Sequence, residues 1–184
     1  MEKCMENLIF LIGFRAVGKT TVGKELAVRL GCDFLDTDLI ICQRKAASIE
    51  QIVKTEGWKG FRHLEREVLA ELAECSNSVV ATGGGAIMHR EPWLVLRRKS
   101  LIVWLTAPPE ALISRFRQDE GSGENRPSLT GKEISTEILD ILKIREPLYR
   151  ETAHLVIDTE MIEVAKVVDK IHQVYVQKMG RGEK

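Results

Sequence analysis

The sequence has no excess of charge of either sign, because its 27 Lys and Arg residues equal its 27 Asp and Glu residues. A chain without net charge has no global field that favours nucleic acid or an anionic membrane, so we expect neither as a partner. An anionic ligand must instead be held by groups that converge locally. Aromatic residues make up only 5% of the chain, which is low for a surface that stacks sugars or single-stranded bases. These absences favour small-molecule partners.

Cysteine pairs and long apolar runs are also missing. The four cysteines form neither a CxxC pair nor a metal-ligand spacing, which favours reduced thiols and a cytoplasmic location. The four histidines have no ligand-like spacing either, and we interpret them as structural or solvent-facing. The apolar start, residues 8–14, is too short to span a membrane, and we recognise no signal peptide. No heptad or large apolar stripe is left over, so we expect a monomer. The length of the chain is that of one domain, and we expect residues 1–184 to form a single domain.

Short apolar runs alternate with helical periodicities along the chain. The continuous run Leu8–Ile12 is typical of a strand that is buried on both faces of a parallel sheet. Further runs at residues 34–35, 79–82, 101–105 and 154–158 predict four more strands. Strands that alternate with helices predict an α/β fold, here a three-layer, doubly wound, five-stranded parallel sheet.

Local signals predict where several helices begin and end. Gly31 follows an apolar stripe as a C-cap, and Ser48 with Gln51 forms a capping box. Gly57 is expected to end the helix that the capping box begins, a second helix is expected from Trp58, and Pro109 suits the first turn of another helix. The polar, glycine-containing segment of about residues 118–132 has the length of a functional connection, and we expect it to be a lid.

The segment Gly13–Thr20 (GFRAVGKT) matches the phosphate-binding pattern GxxxxGK[ST] in full and lies between a predicted strand and a predicted helix. Its glycines let backbone N–H groups converge on phosphates, Lys19 reaches the β and γ phosphates, and the Thr20 hydroxyl binds Mg²⁺. The motif therefore predicts binding of ATP with Mg²⁺. It leaves the acceptor open, because motors, GTPases, ATPases and metabolite kinases share this loop.

Acidic residues follow the second predicted strand, at the edge of the sheet where ligands bind in this class of fold. We expect Asp36 to hold Mg²⁺, directly or through water. Asp38 is expected to accept a hydrogen bond from the attacking hydroxyl and to take its proton. The alternative is an Asx turn that only caps the next helix.

Three glycines, Gly83–Gly85, follow the third predicted strand. Their backbone N–H groups are free to approach a substrate oxygen or the γ-phosphate, although a plain tight turn explains the same residues. Arg62, Arg126 and Arg145 are the remaining candidates, although from the residues alone each is better explained as a solvated surface side chain.

Together these motifs resemble those of shikimate kinases, most closely the second type of that enzyme. The resemblance covers about residues 8–158. It comprises the phosphate-binding loop, the acidic pair, Gly60-Phe61-Arg62, the glycine run after Thr82, Arg126-Pro127 with the segment that follows it, and Arg145 before Pro147-Leu148-Tyr149-Arg150.

The resemblance implies a P-loop nucleoside triphosphate hydrolase fold of the nucleoside monophosphate kinase-like type. It implies transfer of the γ-phosphoryl group of ATP to the 3-hydroxyl of shikimate, with a substrate-binding segment at about residues 36–66. In this interpretation Lys19, Asp38 and Arg126 are catalytic. The implied nucleotide-binding residues are Gly13, Ala16, Val17, Gly18, Lys19, Thr20, Thr21, Arg115 and Arg126, and the implied acid-binding residues are Asp38, Arg62, Gly83, Gly84, Gly85 and Arg145.

The resemblance also assigns roles to the arginines. Arg62 and Arg145 are expected to hold the shikimate carboxylate, because the planar guanidinium suits bidentate carboxylate binding. Arg126 is expected to close over ATP from the lid. Glu65, one helical turn beyond Arg62, is expected to orient the Arg62 guanidinium, with a surface ion pair as the alternative.

The phosphate-binding loop departs from the family pattern at two positions. Shikimate kinases usually carry glycine where this chain has Ala16 and a small residue where it has Val17. We expect the β-branched Val17 beside the phosphates to stiffen or crowd the loop, which bears on nucleotide affinity more than on catalysis. Two alternative functions stay open: a kinase for another small hydroxy acid such as gluconate, and a nucleotide-binding regulator without catalysis, for which the atypical Ala16-Val17 loop is the one supporting feature.

Overall fold

A computed structural model describes residues 8–119 and 133–180. The described strands are all parallel and form one sheet in the order β2-β3-β1-β4-β5, with β1 hydrogen-bonded to β3 and β4. The predicted five-stranded parallel sheet is confirmed, and each predicted strand differs from the observed one by no more than one residue at either end. The strands are β1 Leu8–Ile12, β2 Asp33–Asp36, β3 Ser78–Ala81, β4 Leu101–Thr106 and β5 Leu155–Asp158.

Helices cover both faces of the sheet, so that the molecule has three layers. One face packs against α1, α5, α6 and α7, and the other packs mainly against α2, α3 and α4. A short 3₁₀ helix, Ala86–Met88, follows β3. The helices are α1 Lys19–Leu30, α2 Thr37–Lys45, α3 Ile49–Leu72, α4 Arg90–Lys99, α5 Pro109–Asp119, α6 Ile134–Thr152 and α7 Val164–Gly180.

The central strand β1 is buried along its whole length. Successive side chains of a strand point to opposite faces, so Ile9 and Leu11 enter one core while Leu8, Phe10 and Ile12 enter the other. This explains why β1 is a continuous apolar run rather than an alternating one. The two cores fix the position of the loop that leaves β1 at its carboxyl end.

The predicted helix signals act as expected. Gly31 ends α1 in the left-handed conformation at φ 63°. Ser48 and Gln51 form the capping box of α3: the Ser48 hydroxyl accepts from the Gln51 N–H at 3.2 Å, and the Gln51 side chain accepts from the Ser48 N–H at 2.9 Å. Gly57 has the non-helical φ of 70° where we predicted that a helix ends, and the two predicted helices form one kinked helix, α3. Pro109 begins α5.

Two helices, α4 and α6, were not predicted. In α6 the buried positions Ile138, Ile141, Leu142 and Tyr149 follow helical spacing and would have indicated the helix. Pro147 lies inside α6, and its missing N–H obscured that pattern. The omission matters because α6 carries Arg145 to the site.

None of the helices within residues 8–119 and 133–180 combines the length and the apolar composition needed to cross a bilayer. Cys32, Cys42 and Cys75 are free thiols, and Cys4 lies outside the described residues. The predicted lid at about residues 118–132, including Arg126, falls almost entirely outside them as well.

Candidate active site

The carboxyl ends of β1, β2 and β3 meet at one edge of the sheet. The phosphate-binding loop, the acidic pair and the glycine run leave these strands at that edge, as predicted. Two adjoining cavities open there. The larger has a volume of about 530 Å³ and is bordered by the phosphate-binding loop, and the smaller lies against the glycine run and the two arginines Arg62 and Arg145. Arg15, Asp38 and Gly84 line both cavities.

The phosphate-binding loop needs glycine at both of its fixed positions. Gly13 has φ 141°, and a Cβ there would overlap the carbonyl oxygen of Leu105. Gly18 has φ 93° and precedes the first residue of α1. Ala16 also adopts the left-handed region, at φ 59°, which an alanine reaches only with strain. The chain therefore keeps the loop conformation although a Cβ stands at Ala16.

Val17 does not crowd the loop as we expected. Its side chain is 1% exposed and belongs to the hydrophobic core beneath the loop, in van der Waals reach of Gly13. Its carbonyl accepts a hydrogen bond from the Thr159 hydroxyl at 3.3 Å. The expected crowding of the phosphates was wrong because the sequence pattern did not reveal which way this side chain points, and stiffening of the loop by Val17 stays a prediction.

Lys19 begins α1 and is 9% exposed. Its ammonium group donates to the carbonyl oxygens of Gly13 at 3.0 Å and Phe14 at 2.6 Å. These bonds fold the side chain back along the loop, into the wall of the larger cavity. The N-terminus of α1 adds partial positive charge at the same place, so the loop is suited to an anion.

Thr20 and Asp36 form the candidate metal site. The Thr20 hydroxyl donates to one carboxylate oxygen of Asp36 at 3.0 Å. The other oxygen accepts from the backbone N–H groups of Asp38 at 3.0 Å and Leu39 at 3.4 Å, so Asp36 also caps α2. Asp36 therefore caps α2, as the alternative explanation expected. The cap uses only one carboxylate oxygen, and the other, which accepts from Thr20, lies beside the larger cavity.

The donor chemistry of this pair fits Mg²⁺. Mg²⁺ prefers hard oxygen ligands and is usually bound by one or two carboxylates together with substrate phosphates. A hydroxyl and a carboxylate oxygen, both beside the larger cavity, match that preference. In the part of the chain that the structure describes, no group of three or more His, Cys, Asp or Glu residues is placed to hold a metal by itself.

Asp38 lies in the first turn of α2 and is 7% exposed. A Cβ added at Gly83 would lie 2.6 Å from its Oδ1 and 2.9 Å from Oε1 of Glu65. Glycine at this position therefore makes room for two carboxylates. Asp38 is the carboxylate that faces both cavities, which suits the group that would receive a proton from a hydroxyl between them.

The glycine run combines a turn with a binding surface. The Gly83 carbonyl accepts from the Ala86 N–H at 3.0 Å, so the predicted tight turn is present. The Gly83 N–H donates to the Thr37 hydroxyl at 2.9 Å. The Gly84 carbonyl accepts from both Arg145 and Tyr149, at 3.0 and 2.6 Å. These bonds join β3, α2 and α6 around the smaller cavity.

Arg62 packs flat against Gly85, where a Cβ would overlap its guanidinium group. It forms an ion pair with Glu65, whose side chain is only 2% exposed. The surface ion pair that we considered is therefore excluded, since Glu65 is buried. Oε2 of Glu65 also lies 3.5 Å from Nε2 of His89. Arg62 is thus held in the wall of the smaller cavity by a buried carboxylate.

Arg145 is 8% exposed and borders the smaller cavity from α6. Burial lowers the pKa of its guanidinium, and the nearby positive charge of Arg62 adds to this, but an arginine stays protonated in proteins. Burial also raises the pKa of Tyr149 to about 12, so its hydroxyl is neutral and donates to Gly84. The buried Arg145 and the part-buried Arg62 border one cavity, and among the described residues the only salt bridge between them and a carboxylate is that of Arg62 with Glu65, so the pair is suited to an acidic ligand.

Arg115 lies in the wall of the larger cavity, as do Ala16 and Thr21. Its guanidinium donates to the hydroxyl and the carbonyl of Thr159 at 3.1 and 2.9 Å. Thr159 in turn bonds to the carbonyl oxygens of Val17 and Thr106. The loop after β5 is thereby tied to the phosphate-binding loop.

Sequence reasoning assigned no role to several residues at the site, among them Arg15, Phe116, Tyr149 and Thr159. Arg15 stands at a variable position of the phosphate-binding motif, so the motif gave no reason to single it out. Phe116 and Thr159 line or brace the larger cavity without any motif of their own. Tyr149 follows Arg145 by four residues, a helical spacing that would have linked the two.

Comparison with known proteins agrees with this geometry. The family model described as shikimate kinase matches residues 15–176. The chain belongs to the shikimate kinase family. "Shikimate kinase 2" of Yersinia enterocolitica is 44% identical over 154 residues, covering 84% of this chain and 87% of the relative. "Shikimate kinase" of Syntrophus aciditrophicus is 44% identical over 171 residues, covering 89% and 88%.

Solved structures place the fold in the same family. A shikimate kinase from Acinetobacter baumannii, solved in complex with shikimate, superposes with a TM-score of 0.86 at 38% identity and covers 95% of this chain and 96% of that one. A gluconokinase from Sinorhizobium meliloti superposes with a TM-score of 0.60 at 16% identity, over 97% of each chain. The latter likeness shows the shared fold alone.

Proposed function

We propose that this protein transfers the γ-phosphoryl group of ATP to the 3-hydroxyl of shikimate, giving shikimate 3-phosphate and ADP, a step of aromatic amino acid biosynthesis. The observation that carries the proposal is that a phosphate-binding cavity and a cavity bordered by two arginines, Arg62 and Arg145, meet at one carboxylate, Asp38. The family membership and the shikimate complex of the Acinetobacter baumannii relative support the same acceptor.

ATP occupies the larger cavity in this proposal. The N–H groups of the phosphate-binding loop and the N-terminus of α1 hold the phosphates, and Lys19 turns from its loop carbonyls toward the β and γ phosphates. Arg115 borders the nucleotide on the side of the loop after β5. Thr20 and Asp36 would hold Mg²⁺, which when bound neutralises charge on the phosphate oxygens.

Shikimate occupies the smaller cavity, with its carboxylate on Arg62 and Arg145. Guanidinium groups bind carboxylates through two parallel hydrogen bonds, which fixes the orientation of the acid as well as its affinity. Glu65 and the Gly84 carbonyl hold the two arginines in place before the acid arrives. Asp38 and the backbone of Gly84 bind the ring hydroxyls.

The transfer is an in-line displacement at the γ-phosphorus. The 3-oxygen of shikimate forms the new P–O bond while the bond to the β–γ bridging oxygen breaks, and ADP leaves. Asp38 accepts the proton of the hydroxyl. Lys19 and Arg126 stabilise the charge that develops on the transferred group, with Arg126 supplied by the lid. Closure of the lid excludes water that would hydrolyse ATP.

The cellular setting belongs to the proposal as well. We expect a cytoplasmic monomer, because the chain carries reduced thiols and no extended apolar stripe that would serve an obligate partner. Sedimentation at several protein concentrations tests the monomer. A mass that rises with concentration to twice 20.8 kDa contradicts it.

The function is tested by ADP release from ATP and Mg²⁺ with shikimate, with gluconate, and with no acid. We expect release that depends on shikimate and disappears in the Lys19→Met variant, since that change removes the ammonium group from the phosphate site. A circular dichroism melt of the variant shows that the fold is retained. Release with gluconate but not with shikimate contradicts the assigned acceptor. ATP binding without ADP release on either acid favours a non-catalytic regulator.

A further inference from the structure

A further arginine, Arg15, lies at the site, and neither the motifs nor the proposed roles account for it. Arg15 occupies the phosphate-binding loop between Phe14 and Ala16, and its side chain is 15% exposed. It lines the larger cavity and the smaller one. Its backbone also touches the glycine run, since a Cβ at Gly84 would lie 3.3 Å from the Arg15 nitrogen. Arg15 therefore stands at the junction that the phosphoryl group must cross.

The guanidinium of Arg15 is held from two sides. Its Nη2 donates to Oε1 of Glu137 at 3.1 Å, and Glu137 is 3% exposed. Its Cζ lies 4.0 Å from the centre of the Phe116 ring, a cation–π distance. Phe116 belongs to α5 and Glu137 to α6, so two helices fix the orientation of one side chain from the loop.

The ion pair of Arg15 with Glu137 differs from a purely structural one, because the positively charged side chain borders the cavities. An arginine that served only to join the loop to α6 would be enclosed by protein. Arg15 instead borders both cavities, beside Asp38, while its partner Glu137 lines neither of them.

We propose that Arg15 is a further catalytic residue, which donates to the equatorial oxygens of the phosphoryl group as it passes from ADP to the acid. The proposal rests on the proposed function. As the bond from the γ-phosphorus to the bridging oxygen breaks and the bond to the acceptor oxygen forms, the negative charge spreads over the three equatorial oxygens. A donor that is already oriented by Glu137 and Phe116 stabilises this charge without reorganising. Arg15 takes no proton, and Asp38 remains the base.

The test is the kinetics of Arg15→Met with the full chain. Removal of one preorganised donor lowers kcat by about 10²- to 10³-fold. The interaction exists mainly in the transition state, so kcat and kcat/KM fall together while the Kd values for ADP and shikimate change by less than about threefold. Arg29→Met is the matched control, because Arg29 pairs with Asp169 on the surface of α1 and α7 and should leave kcat unchanged.

Arg15→Met alone leaves the Glu137 carboxylate buried without its guanidinium, which endangers the fold. The double variant Arg15→Met/Glu137→Gln removes both charges and is expected to show the same loss of kcat with a native melting curve. Arg15→Lys keeps a positive charge without the planar fork and is expected to lose less activity than Arg15→Met.

A folded Arg15→Met or double variant whose kcat stays within about threefold of the unaltered protein overturns the proposal. A loss confined to the Kd for ADP or shikimate, with kcat unchanged, overturns it as well, because Arg15 would then be a simple binding residue. Failure of the proposed function looks different: the unaltered protein itself would not turn over shikimate.

Discussion

The substitution Gly85→Ala adds a single methyl group and is expected to weaken binding of the acid while leaving nucleotide binding unchanged. The backbone of Gly85 has φ −89° and ψ −13°, a right-handed conformation that alanine adopts without strain. The new Cβ would overlap the guanidinium of Arg62. The Arg62 side chain is 25% exposed, so it has solvent to move into and is expected to leave its place beside Glu65.

The size of the effect follows from the lost contact. A charge-assisted hydrogen bond contributes about 1.5–3 kcal/mol, and about 1.4 kcal/mol is tenfold in affinity, so we expect the Kd for shikimate to rise about 10- to 150-fold. The Kd for ADP should stay unchanged, because Gly85 does not line the larger cavity. The free energy of unfolding is expected to fall, since Glu65 would remain buried without its guanidinium, by up to about 3–5 kcal/mol.

Titration calorimetry with shikimate and with ADP measures both affinities, and ADP binding shows that the variant is folded. Arg62→Ala is the matched comparison. Because the alanine acts through Arg62, the double variant Gly85→Ala/Arg62→Ala should bind shikimate as Arg62→Ala does, rather than with both losses added. An unchanged Kd for shikimate in Gly85→Ala, or additive losses in the double variant, would refute this reasoning.

Three further predictions concern single residues. Asp38→Asn keeps the shape but is a poor base, so ADP binding should persist while kcat falls by about 10²- to 10⁴-fold; near-normal turnover would demote Asp38 to a capping residue. Ala16→Gly relieves the strain of the left-handed backbone, and this gain about offsets the roughly 0.5–1 kcal/mol that an alanine-to-glycine change costs in a helix. A urea titration should therefore show little change in the free energy of unfolding, whereas the control Ala70→Gly, at an exposed position of α3, should lower it. Burial, helped by nearby cations, lowers the pKa of His154 to about 4, and its Nδ1 accepts from the Ile102 N–H. The unfolded chain therefore takes up a proton first, and the free energy of unfolding falls as the pH drops from about 6.5 to 4. The fall is about 1 kcal/mol, because the ring is only partly buried and solvent screens its charge; His154→Gln should remove this dependence in melts across that range.

Much of the fold was predictable because its signals are local. The run Leu8–Ile12 and the glycines at Gly13 and Gly18 specify a buried strand followed by a phosphate loop, whatever surrounds them. The capping box at Ser48 and the kink at Gly57 likewise depend on neighbouring residues alone. Since parallel strands end at one edge of the sheet, the order of motifs along the chain also predicted which residues would meet.

The rest depends on contacts between distant residues. Nothing in the pattern around Val17 indicates that its side chain turns into the core rather than toward the phosphates. Arg15 acquires its position from Phe116 and Glu137, which lie about a hundred residues further along. The helix that carries Arg145 was obscured by a proline that tertiary packing tolerates. Such features appear only when the chain is folded.

The central claim is that this chain moves a phosphoryl group from ATP to the 3-hydroxyl of shikimate. Phosphorus NMR of a reaction with ATP, Mg²⁺ and shikimate tests it directly. We predict that the γ-phosphate signal is replaced by an ester phosphate coupled to the ring hydrogen at carbon 3, at the same rate as ADP appears. A γ-phosphate signal that persists, or one that turns into inorganic phosphate alone, would contradict the account.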